Sequence, residues 1–177
     1  MANYDSAIYT STDSGETWVA NRANEFNNSV AMSADGKIMV VASYLEDTLH
    51  FYGGIQYSVD SGATWHLSDA PTNWNWSAVA CSASGNFMVA VGQTLTNWDE
   101  PGPIYVSTNS GVNWQPTTAP LLTWRCVTCS ADGSKVTAGA PGTFDFDSGV
   151  YTGNGGVYSS NELRSYLVCQ RKHRIRD

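Results

Sequence analysis

The string STDSGETW, Ser11 to Trp18, returns as SVDSGATW, Ser58 to Trp65, and as STNSGVNW, Ser107 to Trp114. A chain that spells one octapeptide three times builds one local shape three times. Asp13 and Asp60 are 47 residues apart, and Asp60 and Asn109 are 49 apart. A second string alternates with the first: MSADGK at Met32, CSASGN at Cys81 and CSADGS at Cys129. Its serines, Ser33, Ser82 and Ser130, are spaced 49 and 48. Two independent markers keep one period.

Each period reads as four short strands. SVAMS, AVACS and CVTCS come first, then IMVVAS, FMVAVG and KVTAGA, then GGIQYS and GPIYVS, with AIYTS ahead of the first octapeptide. The fourth strand starts at the Trp. All are rich in Val, Ile, Tyr and Thr and are bounded by Gly, Asp, Asn and Ser. No helical period is visible before the C-terminal stretch. Only 14% of residues are charged, as in chains built of strands and polar turns. The octapeptide then joins strands three and four as a tight hairpin. Asp13 accepts turn N–H groups, Gly15 supplies a positive φ, Ser11 bonds across the turn, and the Trp18 ring enters the seam beneath. Ser58, Asp60, Gly62 and Trp65 repeat these roles, as do Ser107, Asn109, Gly111 and Trp114. The SADG strings close strands one and two in the same way. The expected fold is all-β, a partial β-propeller of about three to three and a half four-stranded antiparallel blades.

The pattern S-x-D-x-G-x-T-W at this spacing resembles the Asp-box, or BNR, repeat. That repeat is known from sialidases, xyloglucan-cleaving glycosidases, sortilin-type receptors and photosystem II stability factors. The resemblance covers residues 4 to 160. It implies a propeller and a structural corner, not an activity, because the repeat serves unrelated functions. Sialidase activity would imply three arginines gripping a carboxylate, and outside the last 17 residues only Arg22 and Arg125 exist.

In a propeller both hairpin types lie on one rim, and the irregular loops lie on the other. Those loops carry the paired acids Glu46/Asp47, Asp99/Glu100 and Asp145/Asp147, together with Trp98. Trp74 joins them from the links between blades. Acids and aromatic faces suit a carbohydrate, and paired acids also suit calcium. The alternative reading is solvated turn residues, with Trp76 and Trp124 packing between blades. Both stand six residues before a marker serine. No residue is assigned a catalytic role, and no resident cofactor or metal is expected beyond the calcium option.

Net charge is −7, yet residues 161–177 hold five of the nine Lys/Arg and two of the sixteen acids. The remaining body would repel phosphate backbones, so no nucleic-acid partner is expected. No apolar run approaches the roughly 20 residues of a membrane span, and no signal peptide is visible. The triplets at Asn27 and Asn75 fit the glycosylation sequon, which suits an extracellular protein. In CVTC, residues i and i+3 of a strand face opposite ways, so Cys126 and Cys129 cannot share a metal; buried free thiols are expected.

The repeats are expected over 1–160, with 161–177 a basic tail that matches no repeat. The favoured function is a non-enzymatic binding or interaction scaffold for a carbohydrate or protein ligand. The alternative is a fragment of a sialidase-like or xyloglucanase-like glycoside hydrolase. Because closed propellers have roughly four to eight blades, self-association to close the ring is a further expectation.

Overall fold

The computed structural model describes residues 7–23, 26–46, 51–95, 101–141, 143–145, 150–152, 155–160 and 168–169. β1 (Ala7–Thr10) and β2 (Val19–Ala23) form a two-stranded sheet. Three four-stranded antiparallel sheets follow. The first is β3 (Phe26–Met32), β4 (Met39–Glu46), β5 (Phe51–Ser58) and β6 (His66–Leu67), and the second is β7 (Trp74–Cys81), β8 (Met88–Thr94), β9 (Ile104–Ser107) and β10 (Gln115–Pro116). The third begins with β11 (Cys126–Cys129) and β12 (Val136–Ala140). A small hairpin, β13 (Thr143–Asp145) and β14 (Val150–Thr152), intervenes before β15 (Gly156–Ser160) and β16 (Val168–Cys169) complete the sheet.

Sequence neighbours are sheet neighbours except where the β13–β14 hairpin is inserted between β12 and β15, and the first strands β3, β7 and β11 pack beside one another. This is an all-β partial propeller, with first strands innermost and two-residue outer strands. Such short outer strands, one containing Pro116, leave little edge for stray pairing. β16 lies within the stretch read as a basic tail. Its backbone pairs Cys169 with Tyr158 and Val168 with Ser159, so the third sheet runs past residue 160.

The core lies between blades. Met88 and Ala90 of β8 join Val40, Ala42, Ile55, Trp76, Val79 and Trp114 on one side. Val89 and Val91 turn the other way and join Trp124, Val136, Ala138 and Tyr158. Alternate residues of one strand thus feed two cores. That is why MVAV reads as a continuous apolar run and not as an alternating one. Trp76 and Trp124 are fully buried. Each meets a tyrosine edge-on, Trp76 with Tyr105 at 5.4 Å and Trp124 with Tyr158 at 5.1 Å between ring centroids. Trp76 Nε1 donates to the Pro71 carbonyl at 3.2 Å, whereas Trp124 Nε1 is buried without a partner among the described residues.

Two of the three inner strands, β3 and β7, bend at one inserted residue. In β3 the pairing steps from Asn27↔Ser43 to Ser29↔Ala42, leaving Asn28 extra; in β7 it steps from Trp76↔Gly92 to Ala78↔Val91, leaving Ser77 extra. Such a bulge re-aims the side chain of the additional residue.

Candidate functional site

The three octapeptides occupy the tips between β1 and β2, β5 and β6, and β9 and β10. At the second, Ser58 Oγ donates to Asp60 Oδ1 at 2.8 Å and accepts from Gly62 N at 2.9 Å. The same carboxylate accepts Thr64 N at 2.8 Å and Thr64 Oγ1 at 2.6 Å. Trp65 Nε1 donates to the Gly62 carbonyl at 3.0 Å. The first copy has the same bonds: Ser11 to Asp13 at 2.7 Å, Thr17 N to Asp13 at 2.9 Å and Trp18 Nε1 to Gly15 O at 3.1 Å. In the third, Asn113 N donates to Asn109 Oδ1 at 2.9 Å, and Asn109 Nδ2 donates to Asn113 Oδ1 at 2.8 Å.

Two residues per tip are left-handed: Ser14, Ser61 and Ser110 at φ of 59°, 60° and 60°, then Gly15, Gly62 and Gly111. The sequence points to the glycine but not to the preceding serine. The hydroxyls of Thr17 and Thr64 hold Asp13 and Asp60 at about 2, below the ordinary 3.8. These carboxylates are occupied by their own turns and are ionised at neutral pH.

Trp18 corrects an expectation. Its ring is 61% exposed, whereas Trp65 is half-buried and Trp114 only 3% exposed. Trp114 lies against the preceding blade, where Asp69 accepts from Trp114 N at 2.8 Å. Among the described residues no blade precedes Trp18. The thiols differ too: Cys126 is exposed, while Cys81 and Cys129 are half-buried, with burial pushing the Cys81 thiol up to about 11. Asn75 is 4% exposed and accepts from Asn28, which removes it as a glycosylation acceptor in the folded chain.

Of the residues read as ligand-binding, Asp47, Trp98, Asp99, Glu100 and Asp147 lie outside the described residues. Glu46 ends β4 opposite Phe51, and Asp145 ends β13 opposite Val150; both are described by backbone alone. Trp74 opens β7 and packs against the core between the first two full blades. Its carbonyl lies against Gly53, where a Cβ would sit 1.5 Å from Trp74 O. Among the described residues no three His, Cys, Asp or Glu side chains are grouped to hold a metal ion.

The structure gathers a different set. Asn28, Asn75, Ser77, Gln93 and Arg125 line a cleft of about 240 Å³. Asn28 and Ser77 are the two bulge residues, and Arg125 stands at the same place in the third repeat, five residues before its marker serine. Asn28 Nδ2 donates to Asn75 Oδ1 at 3.1 Å and to the Trp76 carbonyl at 3.0 Å, reaching across to the next blade. Ser77 Oγ and Gln93 Nε2 donate to the Trp124 carbonyl at 3.2 and 2.9 Å, and Arg125 Nη1 donates to Gln93 Oε1 at 3.3 Å. One position per repeat therefore supplies a polar side chain at the start of each inner strand. The signal was present as the residue following Asn27, Trp76 and Trp124, but Asn, Ser and Arg share no motif.

No protein-family model and no curated protein matches this chain. Solved structures do. A GH74 enzyme from Niastella koreensis aligns at a TM-score of 0.63 with 14% identity, over 90% of this chain and 25% of that one. YCF48 bound to a D1 peptide aligns at 0.55 with 16% identity, over 96% of this chain and 49% of that one. The β-propeller domain of the Trilobed protease from Pyrococcus furiosus aligns at 0.54 with 7% identity, over 81% of this chain and 41% of that one. At these identities the likeness establishes the propeller fold alone. The chain spans a quarter to about half the length of these structures.

Proposed function

We propose that this chain is a binding scaffold of Asp-box propeller repeats whose ligand enters the cleft at the start of the inner strands. The observation that carries the reading is the convergence of Asn28, Ser77 and Arg125, one from each repeat, with buried Asn75 and Gln93. Asparagine, glutamine and serine side chains both donate and accept, as sugar hydroxyls and peptide groups do. A cleft made of such groups orients a polar ligand by matched hydrogen bonds, and its five described lining residues include no carboxylate. The Asp-box assignment rests on the self-contained bonding of Asp13, Asp60 and Asn109 at their hairpin tips.

A glycan array and a peptide panel, each run with and without calcium, test this reading. A hit is expected to weaken about tenfold in Gln93→Ala, the loss of roughly one hydrogen-bonded contact. Binding that is unchanged in both Gln93→Ala and Asn28→Ala removes the cleft from consideration. Xyloglucan cleaved during the screen would favour the glycoside hydrolase alternative.

A further inference from the structure

Where an equivalent hairpin stands in front, each hairpin tip rests on the blade before it. A Cβ added to Gly85 would lie 2.6 Å from Ile38 Cδ1, and one added to Gly133 would lie 2.9 Å from Phe87 Cβ. Gly111 meets Tyr57 at 3.0 Å, and Gly62 meets Asn21 at 3.3 Å and Thr10 at 3.7 Å. The leading member of each series differs. A Cβ on Gly36 meets nothing within 4 Å, and one on Gly15 meets only its own Trp18 at 3.8 Å.

The backbone tells the same story. Ala34 N donates to Ala83 O at 2.9 Å, and Ala83 N donates to Ala131 O at 2.8 Å, so equivalent loop residues form a ladder from blade to blade. Ala34 O begins the ladder and receives no backbone donor among the described residues. β5, β9 and β15 each pair with an inner neighbour, β4, β8 or β12. β1 occupies their place in the repeat and pairs only with β2 among the described residues.

We propose that this leading face is the docking site for one further β-hairpin of the repeat's inner type, which would complete the first blade. Continuity with the existing blade interfaces defines its chemistry. One strand is extended and apolar on both faces, as β4 and β8 are, and pairs with the edge of β1 that has no strand partner among the described residues. The loop carries an N–H that donates to Ala34 O and a bulky apolar residue, in the place of Ile38 and Phe87, that covers Gly36. A second copy of this chain does not supply it. All three of its inner hairpins are committed to four-stranded sheets, and its last blade carries Lys135 where Ile38 and Phe87 stand. This inference is independent of what the cleft binds.

The probe is the segment 74–94 with Cys81→Ser, fused to a soluble carrier to keep it monomeric and added to the full chain. Expected are saturable one-to-one binding and amide exchange at Ala7–Thr10 slowed about tenfold or more, with a scrambled segment inert. Absence of binding, or protection elsewhere in the chain, overturns the proposal. Self-association of the chain alone through Ala7–Thr10, seen as a dimer by light scattering with the same amides protected, also overturns it, because the occupant would then be a second copy.

Discussion

Asp60 and Asn109 occupy the same corner with different chemistry. Asp60 faces Thr64, which donates twice to its carboxylate, whereas Asn109 faces Asn113, which returns its amide hydrogen bond. Asp60→Asn alone turns an amide toward a threonine placed to donate, so thermal melts should show a lowered Tm. Asp60→Asn with Thr64→Asn rebuilds the third corner and should recover most of the loss. The ionised corners also set a pH response. Asp13 and Asp60 are depressed in the folded chain to about 2 from 3.8. Their contribution is therefore complete above the ordinary value and is lost as pH falls through about 2. Circular dichroism melts from pH 5 to pH 2 should show Tm falling below about pH 4, less steeply in the Asn/Asn variant. Gly53 is decided by space: a methyl group there would stand 1.5 Å from the Trp74 carbonyl oxygen, so Gly53→Ala must push β5 away from the link to β7. The expected cost is about 1–3 kcal/mol, measured by chemical denaturation.

Among the elements, the two alternating cores make the tryptophans unequal. Trp124→Ala removes a fully buried ring and its contact with Tyr158, at an expected cost of about 3–5 kcal/mol. Trp18→Ala changes an exposed ring and should stay within about 0.5 kcal/mol. Urea unfolding of both variants checks the contrast. The hairpins were legible in the sequence because their corners need particular residues: a short polar acceptor, a left-handed glycine and a closing hydroxyl. The strands between them were legible because β8 and its equivalents read as short apolar runs bounded by turns. Exposure was not legible, since closely similar octapeptides give a buried Trp114 and an open Trp18 according to whether a blade stands in front. Nor was β16, because Val168 and Cys169 are held by backbone pairing with β15 and follow no octapeptide. The cleft escaped notice for a related reason: backbone position, a bulge for Asn28 and Ser77 and the residue before β11 for Arg125, fixes where these side chains stand and leaves their chemistry unconstrained.

At the scale of the whole molecule, the cores are linked through β8, whose opposite faces belong to each. Loss of either core exposes one face of the same strand, so the three full blades should unfold in one transition. Far-ultraviolet circular dichroism and buried-tryptophan fluorescence should therefore give superimposable melting curves, and separated midpoints would show blades unfolding independently. Main-chain bonds tie neighbouring blades at both rims, and at the cleft side chains add to them. At the hairpin rim, peptide groups of Ala34, Ala83 and Ala131 bond directly to one another. At the cleft, neighbouring blades are linked by side chains reaching to the carbonyls of Trp76 and Trp124. Main-chain ties cannot be exchanged without moving the strands, but a rotatable amide or hydroxyl can swing aside and surrender its acceptor. A guest entering the cleft would therefore compete first for the acceptors of Asn28 and Ser77, while the main-chain bonds between Gly102 and Leu122 and from Gly53 to Thr72 hold the neighbouring links in place.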